Sequence, residues 1–181
     1  MLGDRDELTA LMAWNADQTR MPARMHSEYL HGLYLENRLS AGRYAVDGKM
    51  IPLRDIRAPI FAVGTALDHV APWRSVYKVT LFSDADVTFA LASGGHNVGI
   101  VNPPSQAKGS FQLMTREEEE RYMDPDTWIA TAPRHEGSWW PAWEEWLRGA
   151  GSIEEVDPPP LGAVDEGYPP LADAPGSYVH G

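Results

Sequence analysis

The 181 residues include no cysteine. Disulfides, thiolate–zinc sites and a cysteine nucleophile are therefore impossible within this chain. Long apolar runs are missing too. None approaches the ~18 residues that a membrane-spanning helix requires, so no membrane span is expected. Positive charge is scarce: 15 Lys and Arg stand against 26 Asp and Glu, a formal net charge of −11. That balance repels nucleic-acid phosphates and anionic membranes, so nucleic acid is not an expected partner. The opening residues Met1-Leu2-Gly3-Asp4-Arg5-Asp6-Glu7 lack the basic and apolar regions of a signal peptide, and the expected location is cytoplasmic. No glycine-rich phosphate loop or nucleotide fingerprint occurs, and Ser110 in Gly109-Ser110-Phe111 does not fit a Gly-x-Ser-x-Gly elbow. His26 and His31 stand off the i, i+4 spacing of a helical zinc pair. No metal and no cofactor is expected.

What remains is an ordinary globular composition, 43% hydrophobic and 23% charged, with room for one small core. Residues 8–39 read as amphipathic helix broken at Pro22, with Tyr29, Leu33 and Leu30, Tyr34 at four-residue spacing. Asp47-Gly48 between short alternating runs signals a hairpin. Ile60-Phe61-Ala62-Val63 and Asp86-Val87-Thr88-Phe89-Ala90-Leu91 read as strands, with a helix opened by Pro72 between them. Strand, helix, strand at this length is a βαβ unit with parallel strands, so the fold class is α/β. Residues 103–137 read as polar and irregular, apart from a short helix after Asp124-Pro125-Asp126. The Glu117–Glu120 run reads as a solvated face. Ser138 caps a tryptophan-rich helix that places Trp140, Trp143 and Leu147 on one face. Residues 151–181, rich in Pro and Gly, read as a tail.

Chemistry in parallel α/β sheets gathers at the carboxyl ends of the strands. Two such ends deliver Asp68 and His96. A carboxylate beside an imidazole fixes the ring tautomer and stabilises the imidazolium formed when the ring takes a proton. Each residue has a plainer reading: Asp68 as a loop aspartate bonded to its own backbone, and His96 as a surface histidine. Gly94, Gly95 and Gly99 favour a built loop around His96, because glycine permits close approach and unusual φ. His69 is a rival base, but its place next to Asp68 in sequence makes shared geometry difficult. The tryptophans read mainly as core, and Trp73 alone is a candidate for substrate contact.

These segments resemble a known family. Ala66-Leu67-Asp68-His69-Val70-Ala71-Pro72-Trp73 resembles the D-H-x-x-P-W segment of polyhydroxyalkanoate (poly-β-hydroxybutyrate) synthases of a class I-like pattern. Ser93-Gly94-Gly95-His96-Asn97-Val98-Gly99-Ile100-Val101-Asn102-Pro103 is similar to their S-G-H-x-x-G-x-x-N-P segment. Trp14-Asn15-Ala16-Asp17, with Pro22 and Tyr29-Leu30, is similar to the end of the family's cap region. Gly137-Ser138-Trp139-Trp140-Pro141-Ala142-Trp143 and Ala174-Pro175-Gly176-Ser177-Tyr178-Val179 are similar to its G-S-W-W-P-x-W helix and A-P-G-x-Y-V ending.

The resemblance implies the C-terminal part of an α/β-hydrolase-type acyltransferase. Its members polymerise 3-hydroxyacyl-CoA onto a growing polyester chain, releasing CoA, as dimers at polymer granule surfaces. It divides the chain into a cap remnant (1–50), a core portion (51–150) and a tail (151–181). It makes His96 the base for a cysteine nucleophile, and Asp68 either the group that orients His96 or one that acts on the substrate hydroxyl. The sequence departs from the pattern in having no cysteine, no nucleophile elbow and no oxyanion-hole segment. The implied cysteine then lies upstream of Met1, in an N-terminal half or partner subunit, and the chain alone is expected to be inactive. A portion of a related esterase or depolymerase, and a non-catalytic remnant that binds a synthase subunit or granule, are the alternative readings.

Overall fold

The computed structural model describes Met12 and residues 19–106, 108–151 and 156–173, without the side chain of Gln106. The chain divides into two compact units, Met1–Trp143 and Glu144–Gly181. Trp14-Asn15-Ala16-Asp17 and the segment from Ala174 to Val179 lie outside the described residues.

In the first unit Pro22 opens helix α1 (Ala23–Tyr29), which widens into a π-helical turn over Leu30–Leu35. The wider turn changes which side chains meet. The four-residue pairs expected of an ordinary helix give way to a five-residue one. Tyr29 lies against Tyr34, with ring centroids 5.5 Å apart and hydroxyls 3.2 Å apart. The hairpin falls where Asp47-Gly48 places it: β1 (Ala45–Val46) pairs antiparallel with β2 (Lys49–Met50). Asp47 and Gly48 have φ of 48° and 76°, the paired positive values of a type I′ turn.

The main sheet begins with the predicted βαβ unit. β3 (Ile60–Thr65) and β4 (Val87–Ala92) pair in parallel, from Ile60 opposite Val87 to Thr65 opposite Ala92. Two short helices, α2 (Trp73–Val76) and α3 (Val79–Phe82), lie in the connection. All six residues of β4 are buried, as befits a strand covered on both faces.

The structure corrects the irregular reading of residues 103–137. β5 (Ser110–Arg116) runs antiparallel to β4, and β6 (Arg134–Glu136) antiparallel to β5. The order β3-β4-β5-β6 is therefore a mixed sheet, not a parallel one. Alternation along β5 sends Phe111 and Leu113 to one face and Met114 to the other. Between β5 and β6, α4 (Pro125–Thr131) starts where Asp124-Pro125-Asp126 predicts. The Asp124 carboxylate accepts the Asp126 and Thr127 N–H groups, each at 3.0 Å, and so caps the helix.

Both faces of this sheet carry a buried cluster. On one, Trp73, Tyr77, Phe89, Leu91, Trp128 and Ala132 form a buried cluster. The Tyr77–Phe89 and Phe89–Trp128 rings meet edge-on at 5.1 Å, worth about 0.5–1.5 kcal/mol per pair beyond burial. The nearby Arg74–Asp126 ion pair is 49% and 78% exposed, and pairs of that kind contribute roughly 0–1 kcal/mol. The rings, not the ion pair, hold α2 and α4 to the sheet. On the other face Ala92 and Phe111 pack with Trp139, flanked by Phe61, Val63 and Leu113.

Helix α5 (Trp140–Ala150) follows, its Trp140 N–H donating to Ser138 Oγ at 3.1 Å. Trp143 and Leu147 remain 40% and 44% exposed, so the apolar face predicted for this helix is not buried among the described residues. In the second unit Arg148 pairs with Glu144 one turn apart. Among its described residues 156–173, that unit has a short 3-10 turn, Val164–Glu166, closed by mutual backbone bonds between Ala163 and Tyr168. Among the described residues no helix is long and apolar enough to cross a membrane.

Candidate active site

Parallel pairing brings the carboxyl ends of β3 and β4 side by side, and the loops leaving them stay joined. The Ala66 N–H donates to the Ala92 carbonyl (2.9 Å) and the Leu67 N–H to the Gly94 carbonyl (2.8 Å). Asp68 and His96 are thereby set facing each other, with His96 Nδ1 2.8 Å from Asp68 Oδ2. The plain reading of Asp68 and the functional one turn out to be compatible, because the carboxylate has two oxygens. Oδ1 accepts the Val70 and Ala71 N–H groups, both at 2.8 Å, while Oδ2 is turned to the imidazole. Thr65 Oγ1 lies 3.4 Å from the same Oδ2.

Exposure differs sharply within the pair. The Asp68 side chain is 7% exposed and the His96 side chain 47%. The Ala71 N–H, the His96 ring and the Val70 N–H together outweigh the cost of burial and lower the Asp68 pKa to about 2. Asp68 is therefore ionised at neutral pH and can only accept hydrogen bonds. It follows that His96 Nδ1 carries the proton, and in the neutral ring Nε2 carries the lone pair. Nε2 has no hydrogen-bond partner among the described residues, which leaves a base at a half-exposed ring.

The depressed pKa has a measurable consequence. A group whose folded pKa lies below its unfolded value stabilises the fold fully above the unfolded value. That contribution fades as pH drops from near 3.8 through about 2. The difference in urea midpoint between the native chain and Asp68→Asn is expected to be largest at neutral pH and to shrink across that window. A constant difference would mean that the carboxylate is not held as described.

The loop bearing His96 is compact because of its glycines. Gly94 adopts φ 104°, a value side chains rarely tolerate. Gly99 lies so near Thr65 that an added Cβ would sit 2.4 Å from Thr65 Cγ2. Asn102 closes the loop, its side chain accepting the Lys108 N–H at 3.2 Å and donating to the Lys108 carbonyl at 3.1 Å.

No protein-family profile matches the chain. Individual relatives do. The chain is 40% identical over 171 residues to a protein of Rhizobium meliloti (strain 1021) named poly(3-hydroxyalkanoate) polymerase subunit PhaC, across 93% of this chain. It is 39% identical over 173 residues to the poly(3-hydroxyalkanoate) polymerase of Methylorubrum extorquens, across 93% of the chain. Poly(3-hydroxyalkanoate) polymerase 2 of Ectopseudomonas oleovorans matches at 35% over 179 residues, 99% of the chain. The chain belongs to the poly(3-hydroxyalkanoate) polymerase family. It spans only 26%, 27% and 31% of those three relatives, consistent with a C-terminal part of such a polymerase.

Other candidate residues fall elsewhere in this polymerase-family chain. Trp73 is 9% exposed within the core cluster, with Arg74 stacked 4.8 Å from its ring centre. His69 is exposed and, among the described residues, makes no hydrogen bond to Asp68. No group of three or more His, Asp or Glu able to hold a metal occurs among the described residues. A cavity of about 450 Å³ opens beside Val87 and Phe89, at the end of β4 remote from His96. There Arg116 donates to the Ser83 and Ala85 carbonyls, both at 2.8 Å, so its guanidinium serves to tie β5 to the turn before β4.

Sequence reasoning missed Trp139 and Trp140. Their indole N–H groups donate to the carbonyls of Gly99 (3.1 Å) and Ile100 (2.9 Å), just past His96. The only available signal was the recurrence of both motifs in one resemblance, since spacing cannot reveal a bond between residues 40 positions apart.

Proposed function

We propose that this chain is the C-terminal part of a polyhydroxyalkanoate synthase of the α/β-hydrolase type, with His96 as base and Asp68 as its orienting acid. The observation that carries the reading is the 2.8 Å Asp68–His96 contact at the ends of adjacent parallel strands, in a chain whose relatives are named polymerases. Residues 1–50 are then a remnant of the cap, 51–150 the core portion and 151–181 the tail.

The chemistry needs a thiol, and these residues contain none. The cysteine comes from an N-terminal half of the synthase or a partner subunit, and the chain alone is inactive. His96 Nε2 takes the thiol proton, and the thiolate attacks the thioester carbonyl of a 3-hydroxyacyl-CoA. The bond from carbonyl carbon to CoA sulfur breaks, and CoA leaves as a thiol with the proton held by His96. The acyl group then passes to the growing polyester chain. Of the two roles for Asp68, orientation of His96 is the better supported. Both carboxylate oxygens are engaged, and a pKa near 2 makes a poor base for a hydroxyl. The assembled enzyme then works in the cytoplasm at the granule surface, as the resemblance to polyhydroxyalkanoate synthases implies.

The test is reconstitution. The chain is mixed with, or joined to, the cysteine-bearing segment that the family pattern implies, and CoA release from 3-hydroxybutyryl-CoA is followed. Release by the combination and by neither piece alone is expected. Release by this chain alone would overturn the proposal, as would an inert combination that demonstrably binds.

A further inference from the structure

The loop that carries His96 has little to hold it in place by burial. Val98 and Val101 are 77% and 65% exposed, and Ile100 is 37% exposed. On its upstream side the loop is tied by the Leu67 N–H to the Gly94 carbonyl. Downstream, besides the turn bonds within the loop and the Asn102 bonds to Lys108, its ties to the rest of the unit include the carbonyls of Gly99 and Ile100, each met by a separate indole N–H. These indoles are well placed to hold a loop still. Trp139 is 7% exposed, lies stacked against Phe61 with centroids 6.2 Å apart, and packs into the cluster with Ala92 and Phe111. Its ring is thus fixed by the sheet, while its one polar atom points at the loop. Indole can only donate and a carbonyl can only accept, so the direction of each bond is fixed. Gly99 itself is buried, and its carbonyl has no second partner among the hydrogen bonds described.

We infer that Trp139 and Trp140 are positioning residues, whose indole N–H groups hold the Gly99–Ile100 segment so that His96 keeps Nδ1 on Asp68. This rests on the Asp68–His96 reading above. Neither tryptophan touches the reacting atoms. They link the Gly137-Ser138-Trp139-Trp140 segment to the histidine loop, and so act on the base through backbone.

The experiment uses the 181-residue chain with nitrogen-labelled histidine. At alkaline pH, long-range nitrogen–proton NMR reports which ring nitrogen of His96 bears the proton. In the native chain Nδ1–H is expected, lost in Asp68→Asn. In Trp139→Phe and in Trp140→Phe an aromatic ring remains, smaller than the indole, but the donor is gone, so the loss of volume has to be controlled for. The share of His96 in the Nε2–H form is expected to rise by about fivefold, the factor that corresponds to one ordinary hydrogen bond. Trp128→Phe, in the cluster on the opposite face, is the control for general loosening and is expected to leave the tautomer unchanged. Trp140→Phe alters a half-buried ring, so it reports even where Trp139→Phe fails to fold. An unaltered tautomer in a folded Trp140→Phe and Trp139→Phe pair would overturn the inference while leaving the site intact. An equal shift in Trp128→Phe would overturn it too. A native chain with Nε2–H would instead overturn the Asp68–His96 reading on which it stands.

Discussion

His96→Gln in the reconstituted enzyme is expected to lower CoA release by roughly 10²–10⁴-fold, the range in which loss of a positioned general base falls. Glutamine keeps a hydrogen-bond donor near Asp68 Oδ2, so the loop and the fold are expected to survive. What disappears is the lone pair at Nε2. Asp68→Asn should cost almost as much by a different route. An amide there can donate to the ring, which favours the tautomer with its proton on Nε2 and leaves no base facing the thiol. Since the two residues act as a unit, the double variant is expected to be scarcely worse than either single one. Steady-state CoA release measures all three. Additive losses would mean that the residues serve separate steps, as they would if Asp68 acted on the substrate hydroxyl.

Gly99→Ala is expected to damage both the fold and the site. Its Cβ would lie 2.4 Å from Thr65 Cγ2, 2.9 Å from Thr65 Cβ and 3.0 Å from the Gly95 carbonyl. Thr65 is 1% exposed and cannot swing away. Overpacking of this kind costs about 1–3 kcal/mol. The displacement also strikes the site from both sides, since Thr65 borders Asp68 and Gly99 borders His96. Because small misplacements of catalytic groups are costly, turnover in the reconstituted enzyme is expected to fall by about 10²-fold. Thr65→Ser removes Cγ2 and retains the hydroxyl. Added to Gly99→Ala, it should recover much of the lost urea midpoint, a coupling expected only of neighbours. No recovery would place the strain elsewhere.

Much of this arrangement was legible in the residues. Ile60–Thr65 and Val87–Ala92 declare themselves as buried strands by continuous apolar runs, and Pro72 marks the helix between them. From that unit alone the meeting of Asp68 and His96 follows, because parallel neighbours end on the same side. Asp47-Gly48 and Asp124-Pro125 announce a turn and a helix start by local chemistry that tertiary context rarely overrides. The antiparallel half of the sheet was harder to see. β6 consists of Arg134, His135 and Glu136, all exposed, and an edge strand of that composition carries no alternation to read. β5 does alternate around Phe111 and Leu113, but polar runs on both sides masked it. The π-turn at Leu30–Leu35 has no sequence signature that separates it from ordinary helix. The indole bonds to Gly99 and Ile100 were invisible for another reason. They join a side chain to backbone carbonyls, and a carbonyl is the same for every residue type.

The central claim is that His96, oriented by Asp68, activates a thiol this chain does not contain. It is tested most directly by the alkylation rate of that cysteine by iodoacetamide in the reconstituted enzyme near neutral pH. With the native chain the thiol is predicted to react much faster than an ordinary cysteine, and His96→Gln is predicted to return it to the ordinary rate. A cysteine that alkylates equally fast with and without the His96 imidazole would contradict the account.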